Sequence, residues 1–276
     1  MRILPTLVAL LAATLPAAWS LDVTVMSFNI RWATPNDGNN VWANRKAIAT
    51  ETIAQSGADV AGLQEVIASQ LADLKAALPK FAAIGVGRDD GKNGGEFNPI
   101  FYNTEKFDVE ASGTFWLSET PDKPGSMSWE TACPRIGTWA IFRAKSGGDR
   151  FLMLNTHLDH RSAKAREEGA KLIATRLREL AADIPVVVTG DFNSLRESPP
   201  LRTLATPGPL HHARELAKLE AVPTFNGFES ERKGSEIDHI LVSPGTEVKD
   251  FKVLNVQKDG VFISDHWPIV ATLQIP

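Results

Sequence analysis

The chain has 276 residues, 43% of them apolar, a formal net charge of −4 and a single cysteine, Cys133. That length suits one large domain or two small ones, with the apolar share of an ordinary globular protein. One cysteine rules out an internal disulfide, and the mildly acidic total argues against a broad cationic surface for non-specific nucleic-acid binding, though not against a local basic cleft.

Residues 1–20 stand apart. Met1-Arg2 precedes an apolar run from Ile3 to Leu15, and in the following PAAWS segment Ala18 and Ser20 fit a small-x-small cleavage pattern. The run falls short of the roughly 20 residues that span a bilayer, so a secretory signal peptide is expected over 1–20, cut between about residues 18 and 21. No cysteine lies near residue 20 to accept a lipid, and the remaining chain, 21–276, is expected as one domain in the bacterial periplasm or medium. No later segment is long and apolar enough for stable membrane insertion, and nothing calls for an obligate protein partner.

From residue 22 onward short apolar runs alternate with helical patterns, without a Pro/Gly/Ser linker or a repeat. Strands are predicted near 22–30, 59–64, 82–86, 98–102, 108–115, 137–144, 150–157, 185–190, 237–242, 248–256 and 268–274. Helices fit 42–56, 67–78 and 160–182; in the last, Ala163, Ala170, Ile173, Ala174, Leu177 and Leu180 recur at helical spacing. Many strands with a few long helices predict an α/β or α+β sandwich.

Polar residues recur where the apolar runs stop. In VVVTGDFNS (186–194), side-chain alternation places Asp191 and Asn193 on one side and Phe192 on the other. MSFNIRW places Asn29 after Val23, Val25 and Met26, and LQEV places Glu65 after Val60 and Leu63; FLMLNTHLDH aligns Asn155, His157 and Asp159; EIDHILVS carries Asp238, and FISDHWPI carries Asp265 and His266. Each alone reads as a turn cap or a hydrogen-bonded core residue. Together they make an oxygen-rich set (Asn29, Glu65, Asp191, Asn193, Asp265) whose carboxylates need a compensating cation. Without thiolates the set favours Mg²⁺ or Mn²⁺, with zinc left open through His157 and His266. A hard cation beside two histidines suits hydrolysis of a phosphate ester.

SFNIRW, LQEV, THLDH, GDFN, IDHI and SDHWPI, in that order along the chain, resemble the endonuclease/exonuclease/phosphatase superfamily. The resemblance implies an α/β fold: a two-sheet β-sandwich flanked by helices on both outer faces, four layers of the deoxyribonuclease I-like kind, with an Mg²⁺-type ion and direct attack of water on phosphorus. It implies Glu65 as the principal metal ligand, with Asn29 and Asp265 in the same metal environment. His157 would contact the scissile phosphate and help the leaving group, while Asp191 and Asn193 orient the water and bind a phosphate oxygen. Asp238 would hold His266, acting as base or as transition-state stabiliser.

Arg31, Arg88 and Arg135 are the candidate substrate-binding residues. The loop VGRDDGKNGGEF (86–97), with Arg88 and Lys92, reads equally as a phosphate grip or a solvated turn. The segment from Phe115 to Trp139 carries Trp116, Trp129 and Arg135 and is a candidate substrate wall, with Trp139 expected in the core. Arg31 and Trp32 are expected on the rim, and His160 and Arg161 near His157. Cys133 is expected as a buried thiol, and His211 and His212 as surface side chains. The leading expectation is a secreted metal-dependent phosphoesterase acting on a phosphodiester or a small phosphorylated metabolite. An extracellular nuclease acting on DNA or RNA is the alternative and would want a basic cleft. A lipid phosphodiesterase should show an exposed apolar hairpin, which the sequence lacks, and a non-catalytic binding module would not need every polar position filled.

Overall fold

Val23 and Val25 point to one side of the first strand and Met26, Phe28 and Ile30 to the other, and the two sets enter different apolar clusters. That division, repeated along the chain, makes a layered molecule. A computed structural model describes residues 20–181, 183–205, 209–229 and 234–276. Residues 1–19, nearly all of the predicted signal peptide, lie outside the described residues.

The first half runs β1 (Leu21–Asn29), α1 (Trp42–Gln55), β2 (Val60–Gln64), α2 (Ala68–Ala77), β3 (Phe81–Ile84), β4 (Ile100–Asn103), β5 (Phe107–Trp116), β6 (Ile136–Ala144) and β7 (Arg150–His157). The second half runs α3 (Ala163–Ala181), β8 (Val186–Asp191), α4 (Pro199–Leu204), β9 (His211–His212), α5 (Ala213–Leu216), β10 (Asp238–Val242), β11 (Glu247–Val253), β12 (Gln257–Lys258), β13 (Val261–Phe262) and β14 (Ile269–Ile275). Two six-stranded sheets result, ordered β11-β14-β1-β2-β4-β3 and β5-β6-β7-β8-β10-β9.

Val25, Val60, Phe142, Phe151, Met153, Val187 and Ile240 fill the space between the sheets. Ile48, Ala49 and Ile53 of α1 and Leu74 of α2 close the outer face of the first sheet against Phe28 and Leu63. Ala170, Ile173 and Leu177 of α3 and Leu201 of α4 close the second against Leu154 and Val188. Helices therefore cover both outer faces, in the four-layer order expected. Within β8, Val187 faces the inter-sheet core while Val186 and Val188 face α3, which is why this strand is apolar on both sides. The segments the sequence did not announce, α4, α5, β9, β12 and β13, are too short for hydrophobic periodicity to register.

The sheet pairing puts one end of the sandwich in charge of chemistry. β1 and β2 are parallel with Asn29 opposite Gln64, and β7 and β8 are parallel with His157 opposite Asp191. β10 and β14 run antiparallel to their neighbours, so they begin where the others finish, with Asp238 opposite Asp191. Six of the polar strand ends thus meet at one edge.

Candidate active site

Three residues here hold non-glycine backbone at positive φ: Arg31 (57°), Glu65 (60°) and Asn193 (47°). Such conformations persist only where the surroundings enforce them. Arg45 of α1, wholly buried, donates to the carbonyls of Ile30 (2.5 Å), Arg31 (3.1 Å) and Asn40 (2.5 Å). Burial depresses its guanidinium to about 10. Gln70 of α2 donates to the Arg31 carbonyl at 2.9 Å and accepts from the Ala33 N–H, and Ser264 donates to the Asn29 carbonyl at 2.7 Å. After Asp191, Phe192 is buried against α3 and α4, while the Asp191 carboxylate accepts the Asn193 N–H at 2.9 Å. The Asn193 side chain donates to the Leu158 carbonyl.

The Asn29 amide links two carboxylates, donating to Glu65 at 3.1 Å and Asp191 at 3.0 Å, while its oxygen accepts the Arg31 N–H. One Arg31 nitrogen faces Glu65 (4.0 Å) and Asp265 (3.6 Å), and the rest of that guanidinium binds Asp37. His266 Nδ1 lies 2.8 Å from Asp238 and its Nε2 3.7 Å from Asp191. Burial alone would discharge this imidazole, but the carboxylates of Asp238 and Asp191 hold its pKa well above the ordinary histidine value. Two carboxylates thus share one imidazolium, and burial together with the Asp238 charge pushes Asp191 up to about 7. Burial also raises Asp265, with Glu65 adding repulsion. His157 differs: its Nε2 is 3.4 Å from Asp191, yet burial and the nearby charges of Arg135 and Arg88 hold it well below its ordinary value, so it is neutral.

These groups open into a cleft of ≈ 430 Å³. Arg31, Arg88 and Arg135 all line it, together with Trp32, Glu96, His160 and Phe225. The loop 86–97 is held by its own contacts: Asp90 caps Lys92 and Gly94, Arg88 pairs with Glu96 at 2.6 Å, and the Lys92 side chain is exposed. Gly87 is required there because a Cβ would strike the Gly94 backbone.

The expectations for Cys133 and His212 need correction, and two polar residues aligned with His157 have other tasks. Cys133 is partly exposed and lines the cleft, since its neighbours curl around Asp159. Asn155 and Asp159 stand outside the reacting cluster. Asn155 ties the sheets together by donating to the Leu63 and Pro99 carbonyls, and Asp159 is consumed by the N–H groups of Ala132, Arg161 and Ser162. His212 is buried beside His239 rather than at the surface. Of the segment proposed as a wall, Cys133 and Arg135 reach the cleft; Trp116 is buried and donates to the Arg88 carbonyl, and Trp139 packs at the margin of the α3 core as expected. Sequence reasoning also missed Glu96, Arg45 and Gln70.

The donor set fits a hard divalent cation. Glu65, Asp191 and Asp265 bring oxygens without a thiolate, and burial with like-charge repulsion raises both aspartates, a penalty that a cation would relieve. Asp191, Asp238 and His266 also offer ligand atoms within 4.8 Å of one another. A second group with similar spacing, Cys133, Asp159 and His160, does not fit, because Asp159 is saturated and the His160 Nδ1 accepts from Arg135 at 2.9 Å.

The family model described as Endonuclease/Exonuclease/phosphatase family matches residues 26–266. An endonuclease/exonuclease/phosphatase from Bacteroides vulgatus is 38% identical, covering 93% of this chain and 100% of its own, with a TM-score of 0.88. A mannosyl-6-phosphatase from Bacteroides thetaiotaomicron is also 38% identical, over 91% of this chain and 99% of its own, with a TM-score of 0.85. Nocturnin of Drosophila melanogaster is 25% identical over 194 residues, 63% of this chain; the match spans 29% of that relative's length.

Proposed function

The chain belongs to the endonuclease/exonuclease/phosphatase family, whose members are metal-dependent phosphoester hydrolases, and from that premise we propose that it is an exported, Mg²⁺-dependent hydrolase of a small phosphorylated metabolite, with residues 21–276 as one catalytic domain. The observation that carries this reading is the convergence of Glu65, His157, Asp191, Asp265 and His266, from four separate segments, on one cleft of ≈ 430 Å³. That volume suits a small ligand better than an extended polymer. The mannosyl-6-phosphatase supports a phosphomonoester. The composition of residues 1–20 supports export to the periplasm or medium.

Glu65 and Asp265 would hold the ion, with Asn29 fixing the spacing of Glu65 and Asp191. When bound, the ion would neutralise non-bridging phosphate oxygens, with Mn²⁺ able to substitute for Mg²⁺. Asp191, as the carboxylate beside the charged His266, takes the proton of the attacking water, and Asn193 aligns that water. His266, kept charged by Asp238, donates to a phosphoryl oxygen as negative charge builds. Neutral His157 hydrogen-bonds the leaving oxygen, which takes a proton from solvent as the P–O bond breaks, while Asp191 returns the water's proton to solvent. Arg31 steadies the phosphate from the rim.

The test is purified mature protein with Mg²⁺, Mn²⁺ or chelator, offered aryl phosphate, bis-aryl phosphate, hexose 6-phosphates, plasmid DNA and RNA. Phosphomonoester turnover that chelator abolishes is expected; turnover of nucleic acid alone would contradict the proposal. For export, the protein recovered outside the cytoplasm should begin near residue 21, and an intact Met1 terminus would refute it.

A further inference from the structure

Beyond the reacting cluster, the cleft continues to a floor built from Arg88, Glu96 and Arg135. Two arginines suggest a second anion site, but the charges do not add up to one. Arg88 pairs with Glu96 at 2.6 Å, and Arg135 Nε lies 3.6 Å from Asp159. The sum is two positive and two negative charges. His160 contributes none on this side, since its Nδ1 accepts from Arg135. A second phosphate arriving here would exchange water for a neutral floor that presents the Glu96 carboxylate.

The same floor is rich in unspent hydrogen-bonding capacity. Arg135 is only 4% exposed, yet its Nη1 has no hydrogen-bond partner among the described residues. Buried donors left unpaired are costly unless something completes them. Glu96 commits one carboxylate oxygen to Arg88 and leaves the other to accept. A guanidinium donor beside a carboxylate acceptor matches neighbouring hydroxyl groups, each of which both donates and accepts. At the mouth, Trp32 (40% exposed) and Phe225 (37% exposed) offer apolar faces against which a ring can lie.

We infer that Arg88, Glu96 and Arg135 form a specificity subsite that reads the hydroxyl groups of an uncharged, polyhydroxylated leaving group, a sugar-like alcohol, and not a second phosphate. This rests on the phosphomonoesterase reading above. Glu96 is the discriminating residue: it supplies the acceptor and cancels the charge of Arg88.

The experiment measures kcat/KM in Mg²⁺ for the native protein and Glu96→Gln. The substrates are hexose 6-phosphates, cyclohexylmethyl phosphate (a ring of the same size without hydroxyls), a hexose 1,6-bisphosphate and p-nitrophenyl phosphate. The native protein should prefer the best hexose 6-phosphate over the cyclohexyl ester by about tenfold or more, the effect of losing one or two well-placed hydrogen bonds. It should also prefer the monophosphate to the bisphosphate. Glu96→Gln should shrink the hydroxyl preference about tenfold and move the bisphosphate ratio towards the bisphosphate, because the floor then carries one net positive charge; an unchanged melting temperature would show that the fold is intact. A native protein that treats the cyclohexyl ester within twofold of every hexose 6-phosphate, or that prefers the bisphosphate, overturns the inference while leaving the phosphomonoesterase reading standing. Absence of turnover on every monoester, p-nitrophenyl phosphate included, overturns both.

Discussion

Asn155 and His157 lie two residues apart on β7, opposite Thr189 and Asp191 on β8, so a buried polar layer sits one pleat beneath the reacting end. The two layers behave differently. Asn155 is fully engaged: it donates to the Leu63 and Pro99 carbonyls and accepts from Gln64 (2.7 Å) and Thr189 (3.0 Å). Gly62 opposite is what allows this, because a Cβ there would overlap the Thr189 hydroxyl. Above it, His157 Nδ1 and Asp238 Oδ1 have no hydrogen-bond partner among the described residues, Asp191 is pushed up to about 7, and Glu65 and Asn193 hold positive φ. Polar groups around Asn155 staple the two sheets, while the unpartnered groups at the reacting end leave hydrogen-bonding capacity for a ligand.

Substitutions should separate the layers. The largest effect is expected for His266→Ala and Asp191→Asn, which should each lower kcat/KM by about 10³-fold or more. Asp191→Asn should not destabilise the metal-free protein at pH 8. The native carboxyl titrates near 7 and the unfolded one near 3.8, so the unfolded state binds fewer protons and stability falls as pH rises through that interval. A large fall in the melting temperature of Asp191→Asn at pH 8 would refute this. Asn155→Ala should do the reverse, costing about 2–4 kcal/mol in denaturant unfolding by orphaning several buried partners, while the folded protein keeps kcat/KM within about tenfold.

A smaller effect, away from the cleft, is set by His212. Burial and the charges of His239 and Arg196 hold it down to about 3, against 6.5 when unfolded. Its stabilising contribution is complete above about pH 6.5 and drains away as pH falls towards 3, because the unfolded state takes up the proton first. Melting temperature against pH should therefore be flatter between pH 6 and 4 in His212→Phe than in the native protein; parallel curves would contradict this. The smallest effect is expected for Lys92→Ala, whose side chain is solvent-exposed: kcat/KM should stay within about twofold, whereas Arg88→Ala, on the same loop but in the cleft, should lose about tenfold or more. Equal losses would favour the loop as a phosphate grip.

The reacting end was legible in sequence because its residues terminate apolar strands, where period-two alternation fixes which side chains share a face. Asp191 against Phe192 is the clearest case. The supports were not legible. Arg45 and Gln70 sit in helices, where a polar residue ordinarily faces solvent, and only the packing of α1 and α2 against the strand ends turns them towards the Arg31 carbonyl. Asp159 shared the alternation of His157, but the strand stops at His157 and a turn captures its carboxylate. His211-His212 looked like a surface pair because a two-residue strand carries no periodic signal. Glu96 was hidden by its glycine-rich surroundings, and strand order, which decides that all these ends meet, depends on long-range pairing that no local pattern encodes.

The carboxylates at this sheet end form the site proposed for a divalent cation. Anomalous diffraction from crystals of the mature protein grown with Mn²⁺ tests it most directly. A peak coordinated by Glu65 and Asp265 is expected, within the cleft that His157, Asp191 and His266 share. Mn²⁺ absent from that cleft at saturating concentration, or bound instead at Cys133, Asp159 and His160, would contradict it.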